Sequence, residues 1–274
     1  MKKGTAFYST LGLAAAILIL ALSVVPAGSG QESPIERARR EQKIFKLISH
    51  SDLFCSFFIL GSTRPEIKIL AAELGGEKVL LTDSDLCFIN RGSKDGIQVD
   101  QRFLVVEAGS DVIDPVSGSN LGTLGFKRSQ ARVVAVEEKR ATVRLEKSCG
   151  QVMVGFYLVP FPGGDIVLGR DLGYTPAPAE GEGVSGRVVF LIDTLEEAAT
   201  GYWALINLGT ENGLAVGQQL VAFQRVQGDV PRRPIASMVV IDVGPTTATV
   251  KVLSAKDVIR PGTEVQTREG SAEK

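Results

Sequence analysis

Two pairs of stretches in this 274-residue chain superimpose without a gap, and that duplication limits what the chain can fold into. "LCFINRGSKDGIQVDQRFLVVE" (86–107) lies over "WALINLGTENGLAVGQQLVAFQ" (203–224), placing Ile89 on Ile206, Asn90 on Asn207, Gly92 on Gly209, Gly96 on Gly213 and Gln101 on Gln218. "ARVVAVEEKRATVRLEKSCGQVMVGFYLVP" (131–160) lies over "MVVIDVGPTTATVKVLSAKDVIRPGTEVQT" (238–267), with Ala141-Thr142-Val143 on Ala248-Thr249-Val250 and Gly155 on Gly262. Between the matched blocks the first copy carries an extra "DPVSGSNLGTLG". Self-similarity of this kind reads as one structural module used twice.

The module is β. "EIKILAA", "LCFIN", "RFLVVEA", "ARVVAVEE", "ATVRLEKS" and "FYLVP" are each of strand length, separated by Gly, Asp, Asn, Ser and Pro. "GRVVFLID", "YWALIN", "QQLVAFQ", "ASMVVIDV", "TATVKVL" and "GTEVQT" continue the pattern. Regular short strands with turn chemistry between them argue for barrels or sandwiches, and 30 glycines suit many turns. The expected fold is mainly β: two related small β-barrel-like modules in tandem, with one N-terminal amphipathic helix.

The shared glycine loop, "INRGSKDGIQV" and "INLGTENGLAV", invites a ligand. A phosphate loop needs a strand, a glycine turn and then a helix opening on Lys-Ser/Thr, and here a strand follows. A calcium loop needs several oxygen ligands and a distal acid, and the second copy offers Glu211 and Asn212. Turn chemistry is the simpler reading. Asp95-Gly96 and Asn212-Gly213 are hairpin or tight-turn dipeptides, and Gly92 and Gly209 each end an apolar strand. Asn90 and Asn207 are expected to cap the turn with their amides. Ile97 and Val99, like Leu214 and Val216, are expected to re-enter the core by alternation.

The ends have their own logic. "MKK", an uncharged run from Leu11 to Val25 and then "VPAGSG" follow the order of a secretory signal, with cleavage expected after Ala27. The alternative is an uncleaved inner-membrane anchor. Ser33 as N-cap, Pro34, and Ile35, Ala38, Phe45 and Ile48 at helical spacing predict an amphipathic helix ending before Asp52. It is read as a lid over the β core, or else as a partner-docking or membrane-surface helix. The expected domains are 1–27 signal peptide, 28–52 helix, 53–160 first module, 161–186 Pro/Gly-rich linker, 187–268 second module and 269–274 tail. The linker, with "TPAPAEGEG" at its centre, is expected to be semi-extended and solvated.

A net charge of −1 gives no electrostatic reason to seek nucleic acid or anionic lipid. No membrane span is expected after signal cleavage. Cys55, Cys87 and Cys149 are no disulfide framework; either one pair bridges, or all three sit buried as thiols.

The pattern "INRGSKDGIQVDQRF", "DPVSGSNLGTL", "ARVVAVEEKRATVRL" and "VGFYLVP" resembles a domain found C-terminal to LysM modules in bacterial envelope proteins, and the second copy resembles the companion domain there. "INLGTENGLAVGQ" is also similar to the C-terminal domain of the periplasmic flagellar assembly protein T. Asp100 stands where the first motif expects Gly, and Phe156 where the closing motif expects Asp. No LysM pattern accompanies them. The resemblance implies an envelope location and a small β-barrel fold, and implies no catalytic residue.

His50 is the one histidine, at the expected helix end beside Ser49, Ser51 and Asp52. Sequence neighbours rarely converge as a triad, so a helix-end role is expected. Tyr202 and Trp203 follow the loop "DTLEEAATG" and would be contact anchors if exposed, core if not. The chain is read as non-catalytic, with no cofactor and no metal. Its expected role is a periplasmic interaction or structural protein that docks an envelope protein or peptidoglycan. Alternatives are a flagellar assembly accessory and a peptidoglycan-binding protein lacking LysM.

Overall fold

The computed structural model of the chain describes residues 45–268, except 62, 74, 76–77, 193–194 and 226–229. The described elements run β1 (Phe45–Ile48), α1 (His50–Cys55), β2 (Phe57–Ile59), β3 (Ile67–Ala72), β4 (Leu86–Ile89), β5 (Arg102–Ile113), β6 (Asn120–Val136), β7 (Ala141–Glu146) and β8 (Tyr157–Pro160). They continue with β9 (Val167–Gly169), β10 (Ser185–Leu191), β11 (Trp203–Ile206), β12 (Gln219–Gln224), β13 (Arg233–Val243), β14 (Ala248–Ala255) and β15 (Glu264–Thr267).

Each copy closes into a six-stranded antiparallel barrel. The first ring runs β3-β4-β7-β6-β5-β8 and back to β3, with β2 added along β6. The second runs β10-β11-β14-β13-β12-β15 and back to β10. The rings share one strand order, and their registers agree: Ile89 faces Ala141 as Ile206 faces Ala248. Alternation fills both interiors. Ile89, Phe103, Val133 and Val143 sit in the first core; Ile206, Leu220, Val240 and Val250 sit in the second. Closure pairs every barrel strand on both sides, so no barrel strand is left as an edge.

The glycine loop is not a hairpin, because it joins strands that are not paired in the ring. It crosses the barrel end and docks on the next turn: Ser93 N donates to Glu137 O at 2.9 Å, and Thr210 N to Gly244 O at 2.9 Å. A Cβ on Gly92 would lie 2.4 Å from Glu137 O, and one on Gly209 would lie 2.3 Å from Pro245 O, so close approach demands glycine. Gly96 (φ +83) and Gly213 (φ +77) are left-handed. Ile97 and Leu214 are buried as expected, but Val99 and Val216 are exposed. The chain turns just past them, at Asp100 (φ +66) and Gly217 (φ +88), which breaks the alternation.

The N-terminal expectation is overturned over its described part. Phe45–Ile48 is a strand paired with β9, and the helix begins at His50 rather than ending before Asp52. Ser49 caps α1 in a reciprocal box with Asp52. Pairing with a distant strand outweighs local helical spacing, because it buries Leu47 and Ile48 against Val239 and Ile241. Residues 28–44 of the expected helix, and the expected signal and tail, lie outside the described residues. The linker is largely exposed around its centre, but it carries a strand and one buried carboxylate. β9 lies within it, and Asp171 is buried with Oδ1 accepting from Ser237 Oγ at 2.7 Å.

The segment from β1 to Leu60 joins the barrels. Phe54 and Leu60 pack with Leu104 and Val106 of the first; Phe57 packs in a cluster holding Leu124 of the first barrel and Val189 and Leu205 of the second. A disulfide between Cys55 and Cys149 staples the segment to the first barrel. Cys87 remains a buried thiol, which burial, with the Asp85 carboxylate nearby, pushes up to about 12.

Candidate functional site

The residues singled out in the sequence do not form one site. Asp95 and Asn212 close their own turns, each side-chain oxygen accepting from the N–H of Gly92 or Gly209 at 3.0 Å. Asn90 and Asn207 do not cap the turns. Asn90 Oδ1 accepts from Lys68 N at 2.7 Å while its Nδ2 donates to Glu66 O. Asn207 Oδ1 accepts from Arg187 N at 2.7 Å, and its Nδ2 donates to Asp114 Oδ2 at 3.0 Å, across the barrels. The closed ring brings the preceding strand beside each asparagine, and the strand outcompetes the turn.

Trp203 is not a free anchor. It packs with Phe57, Leu47 and Ile48, and its Nε1 donates to Asp52 Oδ1 at 2.9 Å. Tyr202 remains 47% exposed. His50 opens α1 instead of ending it, is exposed, and stacks on Phe54. Asp52, two residues on, is committed: its Oδ2 accepts from Lys251 Nζ at 2.7 Å and from Ser49. Burial pushes the Asp52 carboxyl up, but Lys251, Ser49 and Trp203 together outweigh it and hold it below the ordinary carboxylate range.

A second charged contact joins the barrels. Lys127 of β6, 4% exposed in its side chain, donates to Asp242 of β13 at 2.5 Å and to Ser56 Oγ at 3.2 Å. Thr249 Oγ1 donates to Phe57 O at 2.6 Å. These polar groups fix the barrels against each other.

The open feature is a cavity of about 610 Å³ beside the second barrel. Arg187, Glu264 and Phe223 form a cross-strand row over β10, β15 and β12. Their neighbours Val188, Val265 and Ala222 point into the core, so alternation turns the row outward. Glu180, Arg225, Arg232 and Arg260 stand around it. Val116 reaches in from the tip of the β5–β6 hairpin, inside the insertion that only the first copy carries. Asp114 holds that tip, accepting from Val116 N at 2.9 Å and Ser117 N at 3.2 Å. Arg232 stacks over Phe223 at 3.8 Å and pairs with Glu264. Arg225 bridges Glu180 and Glu264, which push its guanidinium above its ordinary value, and Arg260 pairs with Glu197. Among the described residues no hydrogen bond or ion pair engages the Arg187 guanidinium. Sequence reading missed this cavity. The signal was divergence between the copies: Phe223 stands opposite Val106, Arg260 opposite Met153, and Glu264 opposite Tyr157.

Among the described residues no helix is long and apolar enough to cross a membrane, and no three of His, Cys, Asp and Glu converge on a metal position. No family model and no curated protein matches the chain. Among solved structures, the N-terminal CBM22-1-CBM22-2 tandem domain of Paenibacillus barcinonensis Xyn10C aligns over 85% of this chain and 93% of that chain. The identity is 10% and the TM-score 0.09, a likeness too slight to carry an argument.

Proposed function

We propose that this protein is a non-catalytic interaction component of the bacterial cell envelope. Exported by its N-terminal segment, it works in the periplasm as a fixed pair of barrels that docks a partner protein or the wall. One observation carries this reading: the junction. Asp52, Lys251, Lys127, Asp242, Asn207 and Asp114 are spent holding two barrels in one orientation. That use suits a scaffold whose loops must meet a partner in fixed geometry. The Cys55–Cys149 disulfide supports an oxidising compartment. The order of the sequence motifs supports an envelope setting.

The test is co-sedimentation of the chain from Gly28 onward with purified peptidoglycan sacculi, alongside cross-linking in the intact envelope. Saturable pelleting identifies the wall as partner, and a specific cross-linked protein identifies a protein partner. Recovery in the cytoplasmic fraction with Cys55 and Cys149 reduced overturns the reading. The likeness of "INLGTENGLAVGQ" to the flagellar family favours one specific version, a flagellar accessory. Residence in purified basal bodies supports that version, and full motility after deletion sinks it.

A further inference from the structure

We propose that the cavity over β10, β15 and β12 binds a short peptide through its carboxylates. The proposal goes beyond the scaffold reading and does not depend on which envelope partner the protein meets. A volume of about 610 Å³ falls within the range of roughly 300–1,000 Å³ typical of ligand pockets.

Charge selects an anion. Four arginines line the cavity against two glutamates. Glu264 is already held by Arg225 and Arg232, while the guanidinium of Arg187, directly across the strand pair from it, makes no hydrogen bond or ion pair among the described residues. Asp114, which feels the Arg187 charge, is taken by Asn207 and two backbone N–H groups. Arg260 is tied to Glu197 through side chains that are 52% and 48% exposed. Such a surface pair is worth about 0–1 kcal/mol, so Arg260 exchanges partners cheaply. Guanidinium forks match carboxylates with paired, charge-assisted hydrogen bonds.

The lining selects a ligand with an apolar part. Val116, exposed, and Val258, half-buried, stand among the arginines and offer a ligand apolar contact that a bare inorganic anion does not use. The first copy shows what this address accepts. Val106, the counterpart of Phe223, packs with Phe58 and Leu60 of the chain's own N-terminal segment. In the first barrel the outer face is thus covered by extended chain. In the second, Arg232 folds down on Phe223, and the space beyond is open and basic.

The experiment titrates the whole exported chain with N-acetyl-Phe-Glu-Glu, read by NMR shifts, against its amidated analogue N-acetyl-Phe-Gln-Gln-amide, inorganic phosphate, and muropeptides released from sacculi. The free carboxylates are expected to give saturable shifts at Arg187 and Arg260, and the amidated analogue to bind at least tenfold more weakly. Arg187→Gln and Arg260→Gln are each expected to weaken binding about tenfold, the scale of one charge-assisted contact. Arg91→Gln, at the first barrel, is expected to change nothing. Far-ultraviolet circular dichroism checks that each variant is folded. Tighter binding of muropeptides assigns the carboxylates to wall stem peptides, and tighter binding of the linear peptide assigns them to a protein segment. Equal binding of the amidated analogue, phosphate binding as well as peptide, or no saturation by either carboxylate ligand at about 10 mM overturns the proposal. Loss of sacculus pelleting without loss of peptide binding would strike the wall reading alone.

Discussion

Asp100 and Gly217 occupy the same address in the two copies, and both are left-handed. A side chain in that region costs about 1–2 kcal/mol, though Asp tolerates it better than most residues. The Arg132 contact at 3.6 Å offers little return, since Asp100 is well exposed. Asp100→Gly is therefore expected to stabilise the protein. The relief exceeds the added unfolded-state entropy of about 0.4–1 kcal/mol, leaving a net gain of about 0.5 kcal/mol. Urea midpoints of the two proteins measure it, and a lowered midpoint would show that the carboxylate contributes more than its contact suggests. Gly92 and Gly209 obey a different rule. They are not left-handed, and the carbonyl oxygens within 2.5 Å of a would-be Cβ are what forbid a side chain.

At the level of elements, α1 matters out of proportion to its six residues. Ser49 caps it, Cys55 bonds it to the first barrel, and Asp52 ties it to Lys251 and Trp203 of the second. The Asp52 carboxyl is held below its ordinary value in the folded state, so its contribution is present above the unfolded carboxylate range. It is lost as pH falls through the lower, folded value. Asp52→Asn is expected to cost about 2–3 kcal/mol near neutral pH, below the roughly 3–5 kcal/mol for breaking a fully buried pair, because Lys251 is partly exposed. The variant should also lose less stability than the parent between pH 5 and pH 2. Thermal melts across that range check both parts; parallel pH profiles would show that Asp52 is not the group that titrates.

For the whole molecule, the junction is expected to make the two barrels unfold as one. Lys127 lies beneath both, and Asp242 is its one carboxylate partner among the described ion pairs. Asp242→Ala leaves a cation buried without its partner, a loss of about 3 kcal/mol. Calorimetry of the parent is expected to show a single transition. The variant's transition should broaden or split as the barrels uncouple. Two transitions in the parent would mean that the junction is weaker than its contacts imply.

The sequence by itself determined the module and its duplication. Alternation, Gly and Asx turns, and strand length are set by residues near one another in the chain, so both barrels were legible down to the shared register of Ile89 and Ile206. The candidate cavity was legible only as scattered differences between the copies, such as Arg260 opposite Met153. What the tertiary structure decided were the long-range choices: Phe45–Ile48 as a strand on β9, Trp203 under α1, Asn207 reaching Asp114, and Asp171 buried against Ser237. Local spacing specifies which side of a strand faces outward. Whether that side meets water, a returning segment or a second barrel depends on where distant chain comes back. The second barrel's basic outer face stayed open because the segment that covers its counterpart belongs to the first.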